Sequence, residues 1–115
     1  MADAKDLVAK IQRGREKVVT AGGRQFTIRR PTDADVLSGR LHGLDDVDLA
    51  KRYTVGWELK EHEVDPGGGA ELVTFEPSLF GLWVEDEPKT YQELALAILD
   101  AYIAHKKARE DAVKN

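Results

Sequence analysis

The sequence predicts a mainly helical α+β fold, with an N-terminal β-hairpin followed by three or four helices, the C-terminal one longest. Three features predict it. A Gly22-Gly23 turn separates a β-branched run from an alternating one. Helix-start signals stand at Thr32, Pro77 and Thr90. Apolar residues from Tyr91 to Ile103 recur at intervals of three and four. The 115 residues suit one domain, and the 42% hydrophobic and 33% charged content is a globular balance.

Leu7, Val8 and Ile11 share a face, so residues 3–13 read as a short helix ended by Gly14, or as a flexible terminal segment. Lys17-Val18-Val19-Thr20, the Ala21-Gly22-Gly23 turn and Arg24 to Arg30 make the hairpin. Phe26 and Ile28 lie on its buried face. Pro31 stops the second strand because it has no N–H to donate. Thr32 then caps a helix carrying Val36, Leu37 and Leu41, with Gly39 and Gly43 weakening its later turns.

A second helix begins at Asp45 or Asp46 and carries Leu44, Val47, Ala50 and Tyr53 on one stripe. Residues 53–59 fit helix or strand, and the reading favours helix. Lys60 to Asp65 is polar, and Pro66 to Gly69 is a flexible loop. Glu71 to Phe75 reads as a short strand. Pro77 opens an apolar helix through Leu79, Phe80, Leu82, Trp83 and Val84, and Glu85 to Pro88 ends it. Thr90 and Glu93 have capping-box spacing for a last helix of about four turns, which fades after His105 into a basic, fraying tail.

Composition narrows the function. There is no cysteine, so disulfides, thiolate nucleophiles and Cys-ligated zinc are excluded, and a reducing cytoplasm is expected. The start of the chain lacks the basic-then-apolar order of a signal peptide, and no apolar run approaches the about 20 residues of a membrane span. Net charge is −4 but segregated: +5 over residues 1–30, −11 over 31–104 and +2 over 105–115. An acidic body argues against nucleic-acid partners. Opposite charges could pair within one molecule or steer self-association.

Catalytic chemistry finds little footing. Ser38 and Ser78 stand in no nucleophile elbow, and His42, His62 and His105 lack helical metal-ligand spacing. Glu61-His62-Glu63-Asp65 is the best metal candidate, against an exposed polar loop as the plainer reading. Gly67 to Gly69 lacks the phosphate-loop pattern, and Asp45, Asp46 and Asp48 lack the calcium-loop glycine and glutamate. No cofactor, metal or catalytic residue is therefore expected, and the chain reads as a non-enzymatic binding protein.

The partner-binding candidates are Arg24, Arg29 and Arg30, whose guanidinium groups could grip carboxylates, and Trp57, Leu79, Phe80 and Trp83, which could form an apolar hot spot. Ordinary strand charges and ordinary core are the competing readings.

The order of segments resembles the tail assembly chaperones of long-tailed bacteriophages and prophages. The resemblance spans residues 17 to about 110. It rests on Phe26-Thr27-Ile28-Arg29-Arg30-Pro31-Thr32, on Val55-Gly56-Trp57, on Val73-Thr74-Phe75-Glu76-Pro77 after a Gly-rich loop, and on a long final helix with a basic tail. It implies a single chaperone-like domain over residues 17–115, after a flexible or short helical segment over 1–16. The implied role is to bind the tape-measure protein, keep it soluble and recruit tail-tube subunits, in the bacterial cytoplasm and outside the finished virion. It also implies self-association in some members and a longer frameshifted product in many. The outer side of the last helix and the segment from Leu79 to Val84 are then the expected docking faces. Two rival readings stand: a structural tail-completion or head–tail joining protein, and a small DNA-contacting regulator.

Overall fold

A computed structural model describes residues 3–114. Its elements run α1 (Ala4–Gly14), β1 (Glu16–Ala21), β2 (Arg24–Arg29), α2 (Asp33–Leu37), α3 (Asp46–Tyr53), β3 (Thr54–Trp57), α4 (Glu61–Val64), α5 (Pro77–Val84) and α6 (Pro88–Lys114). The fold is α+β and mainly helical, with the C-terminal helix longest.

The hairpin forms as its turn chemistry demands. Gly22 and Gly23 take φ of +57° and +78°, which L side chains adopt only at a cost, and this two-residue turn matches the twist of the strands. The turn sets the register, pairing Val19 with Phe26 and Lys17 with Ile28. Phe26 and Ile28 point into the core, as the alternation requires.

The sheet has a third strand where the sequence favoured helix. Helix α3 stops at Tyr53, and Thr54–Trp57 pairs antiparallel with β2 in the order β1-β2-β3. Thr54, Val55 and Trp57 suit a pleated, half-buried surface, and the free edge of β2 supplies the backbone partners. A register shift falls between Thr27 and Ile28. Gly56 lies opposite Thr27, where an added Cβ would stand 3.3 Å from the threonine Cβ.

Four other expectations are corrected. The helix after Thr32 ends at Leu37, because Gly39, just past the Ser38 cap, takes a φ of +77°. The polar run after Lys60 forms the one-turn helix α4, where the Glu63 carboxylate accepts the Lys60 N–H at 3.0 Å. Residues 71–75 make only a single bridge, Leu72 to Lys60, since that segment has one neighbour and leads straight into Pro77. The last helix starts at Pro88, not after a Thr90 cap, and continues to Lys114.

Thr90 is buried in the first turn of α6. Glu93, freed from capping it, accepts the Gly22 N–H at 2.8 Å and pins the hairpin turn to the helix. Elsewhere the caps follow the sequence. Thr32 and Asp35 form a reciprocal capping box, Asp45 caps α3, and Pro77 opens α5. Asp3 caps α1, so this part of the 1–16 segment is helical.

One apolar core joins these elements. Phe26 and Ile28 of β2 meet Leu49, Ala50 and Tyr53 of α3, Phe80 and Val84 of α5, and Leu94, Ala95 and Ile98 of α6. Trp57 and Leu59 close it on the side of β3. Each fully buried large side chain contributes roughly 1.5–3 kcal/mol over its exposed state, before chain entropy is set against it.

Candidate functional site

The aromatic candidates belong to the core. Phe80 is fully buried and Trp57 is 9% exposed. Trp57 packs edge-on to Phe75 at 5.5 Å, Trp83 at 5.8 Å and Phe80 at 6.0 Å, centroid to centroid. Its indole N–H donates to the Val73 carbonyl at 2.8 Å, and that of Trp83 donates to the Glu63 carbonyl at 3.2 Å. The first bond ties the segment before α5 to β3 and the second ties α4 to α5, and both consume the polar handle that makes tryptophan a good surface anchor. Leu79 and Trp83 are half-buried against the same cluster. In α5 the exposed apolar side chain is Leu82.

Two of the three arginines are taken internally. Arg24 donates from Nε to Glu63 at 3.0 Å and lies 5.6 Å over the Trp83 ring. The Glu63 carboxyl sits below its ordinary pKa, first through the Lys60 N–H and, against a burial penalty, through Arg24. Arg29 faces Glu16 across the hairpin and pairs with it at 3.2 Å. Arg30 forms no ion pair among the described residues. Its Nη1 donates to the Pro31 carbonyl at 3.0 Å.

Unpartnered apolar surface lies elsewhere. Helix α1 buries none of its residues, and Leu7, Val8 and Ile11 are each about half exposed on one side. The outer side of α6 shows Leu96, Leu99 and Ile103 at i, i+3 and i+7. Between α2 and the last turns of α6 runs a groove of about 690 Å³, with Val36, Leu37, Tyr102 and Val113 as its apolar wall and Lys106 and Arg109 on its rim.

Asp33 holds that groove together. It accepts the Tyr102 hydroxyl at 3.0 Å and is bonded by Arg109. Asp35, two residues on, accepts the Tyr53 hydroxyl at 3.0 Å and pairs with Arg40.

The spacing of Leu7, Val8 and Ile11 was visible in the sequence. That the other elements among the described residues leave them half exposed was not. The groove had no sequence signal, because it depends on α6 outrunning the core. Among the described residues, no three His, Asp or Glu side chains gather to hold a metal, and no helix is long and apolar enough to cross a membrane. Comparison with protein-family models, curated proteins and solved structures returns no match.

Proposed function

We propose that this chain is a tail assembly chaperone of the long-tailed bacteriophage kind, acting by reversible binding of another polypeptide. It holds the tape-measure protein soluble in the bacterial cytoplasm, helps recruit tail-tube subunits and is left out of the finished virion. The observation that carries this reading is the half-exposed apolar face of α1, together with a second apolar surface in the α2–α6 groove.

An unassembled tape-measure protein presents amphipathic helical stripes, and such helices are held by apolar grooves and by packing against a second amphipathic helix. Contiguous exposed apolar surface on a charged domain marks an interaction site. Burying the exposed halves of Leu7, Val8 and Ile11 contributes on the order of 3 kcal/mol. With a groove that can cover a further helix face, this contributes to the binding energy that must offset the cost of association.

The test is co-expression with fragments of a candidate tape-measure protein. Soluble fragment should rise and co-purify with the chain, and Ile11→Asp with Leu7→Asp should remove both effects. A fragment that stays equally insoluble with either chain rejects the reading. Recovery of the chain from purified virions at fixed stoichiometry instead supports a structural tail-completion or head–tail joining protein.

A further inference from the structure

The open end of the hairpin and the middle of α6 enclose a second pocket, of about 380 Å³. Arg15, Lys17 and Arg30 line one wall, and Ala101, Ala104 and His105 line the other. The Arg30 N–H donates to the Arg15 carbonyl at 2.8 Å, so the two arginines are held side by side by the backbone. Among the described residues none of Arg15, Lys17 and Arg30 forms a salt bridge.

The nearby carboxylates are committed elsewhere. Glu16 lines the pocket but pairs with Arg29. Asp33 accepts from Tyr102 and Arg109, and stands 3.6 Å from His105, where it forms an ion pair only when the imidazole is protonated. Burial and the neighbouring Arg15 press the Arg30 pKa below its ordinary value, and burial with Arg30 and Arg15 lowers that of His105. The pocket thus concentrates the charges of Arg15, Lys17 and Arg30, which no salt bridge among the described residues neutralises.

The geometry points to this pocket as a binding site for an acidic stretch of a polypeptide, with Arg15 and Arg30 forking onto its carboxylates. Lys17 adds a third cation, and Ala101 and Ala104 form an apolar floor for glutamate methylenes. The carbonyl end of α1 lies at the same pocket, and its partial negative charge opposes a dianionic phosphate more than a single carboxylate. The −11 middle of the chain limits the ligand to a short acidic stretch, since the repulsion grows with ligand charge and is largest for a long polyanion such as nucleic acid. The site stands on charge and shape, independently of the proposed role in tail assembly.

Occupancy is coupled to His105. A bound carboxylate favours the imidazolium, so binding tightens as pH falls through the histidine range. The charged and titratable groups facing this histidine are Arg15 at the end of α1, Glu16 and Lys17 on β1, Arg30 after β2, Asp33 on α2, and Tyr102 and Arg109 on α6.

The test is an NMR titration of the full chain with triglutamate peptide at constant ionic strength, with inorganic phosphate as the second arm. Saturable shifts are expected at Gly14, Ala101, Ala104 and His105, with the His105 pKa raised at saturation and affinity at least tenfold weaker in Arg30→Gln. Where Arg30→Gln fails to fold, Arg15→Gln with Lys17→Gln, which leaves every backbone bond in place, makes the same comparison. Absence of saturable triglutamate shifts, equal affinity in the variants, or saturation by phosphate alone would overturn the assignment.

Discussion

Replacing Gly22 with alanine tests how the hairpin is fastened to α6. The residue has φ of +57°, a left-handed conformation that costs an L residue roughly 1–2 kcal/mol. The new Cβ would stand 2.1 Å from Thr90 Oγ1 and 3.2 Å from Thr90 Cβ. Thr90 is 1% exposed and cannot swing into solvent. Turning its hydroxyl away relieves the first contact and leaves the second, so the turn must lift from the helix. That lift stretches the 2.8 Å bond from the Gly22 N–H to Glu93, a charge-assisted bond worth about 1.5–3 kcal/mol. Together these put Gly22→Ala at about 3 kcal/mol of lost stability. Gly23 supplies the control. Its φ is +78°, but nothing lies within 4 Å of its added Cβ, so Gly23→Ala should cost only about 1 kcal/mol. Urea unfolding followed by far-UV circular dichroism reads both values. Thr90→Ala in the Gly22→Ala background should recover part of the loss, since the two side chains share one contact. Equal costs at Gly22 and Gly23, to within about 0.5 kcal/mol, would refute the docking argument.

Phe80→Ala should destabilise by about 3–5 kcal/mol with an unchanged urea slope, because Phe80 is fully buried among Phe26, Trp57 and Phe75; a loss under about 1 kcal/mol would place it outside the core. Leu7→Asp with Ile11→Asp should cost about 1–2 kcal/mol of stability, since each side chain is only half covered, and leave the chain folded while abolishing capture of a tape-measure fragment in the co-expression assay. Burial alone would raise the Asp35 pKa, but the Thr32 N–H and the Tyr53 and Arg40 side chains outweigh it and hold the carboxyl below its ordinary 3.8. The stability this contributes is complete above 3.8 and disappears as pH falls through the lower folded value; an NMR titration of Tyr53→Phe should show the Asp35 pKa moving back up. Burial and Asp35 push the Tyr53 pKa up to about 12 from 10.0, so its contribution is complete below 10 and is lost as pH rises from 10 toward 12; absorbance of the phenolate follows it.

Local chemistry decided much of the fold in advance. The Gly22-Gly23 turn permits one short hairpin geometry, and with the Phe26 and Ile28 alternation this sets both register and buried face. Thr32 with Asp35, and Pro77, mark their helix starts because the side chain that completes each start lies within three residues. Tyr91 to Ile103 announces the long helix by spacing alone.

Only the tertiary structure decided the rest, because each remaining choice depends on what another segment offers. Thr54 to Trp57 is a strand because β2 has an open edge beside it; in isolation those residues serve helix or strand. Thr90 and Glu93 have capping-box spacing, yet the hairpin turn claims the carboxylate, and the helix starts earlier. Trp57 and Phe80 look alike in sequence whether buried or displayed, and the folded loop after β3 buries them. The arginines show the same logic in charge: Glu63 and Glu16 capture Arg24 and Arg29, leaving Arg30 to join Arg15 and His105 across a pocket that no stretch of sequence contains. Spacing along the chain determines what a segment can do with its own neighbours, while long-range contacts determine which groups remain free for a partner.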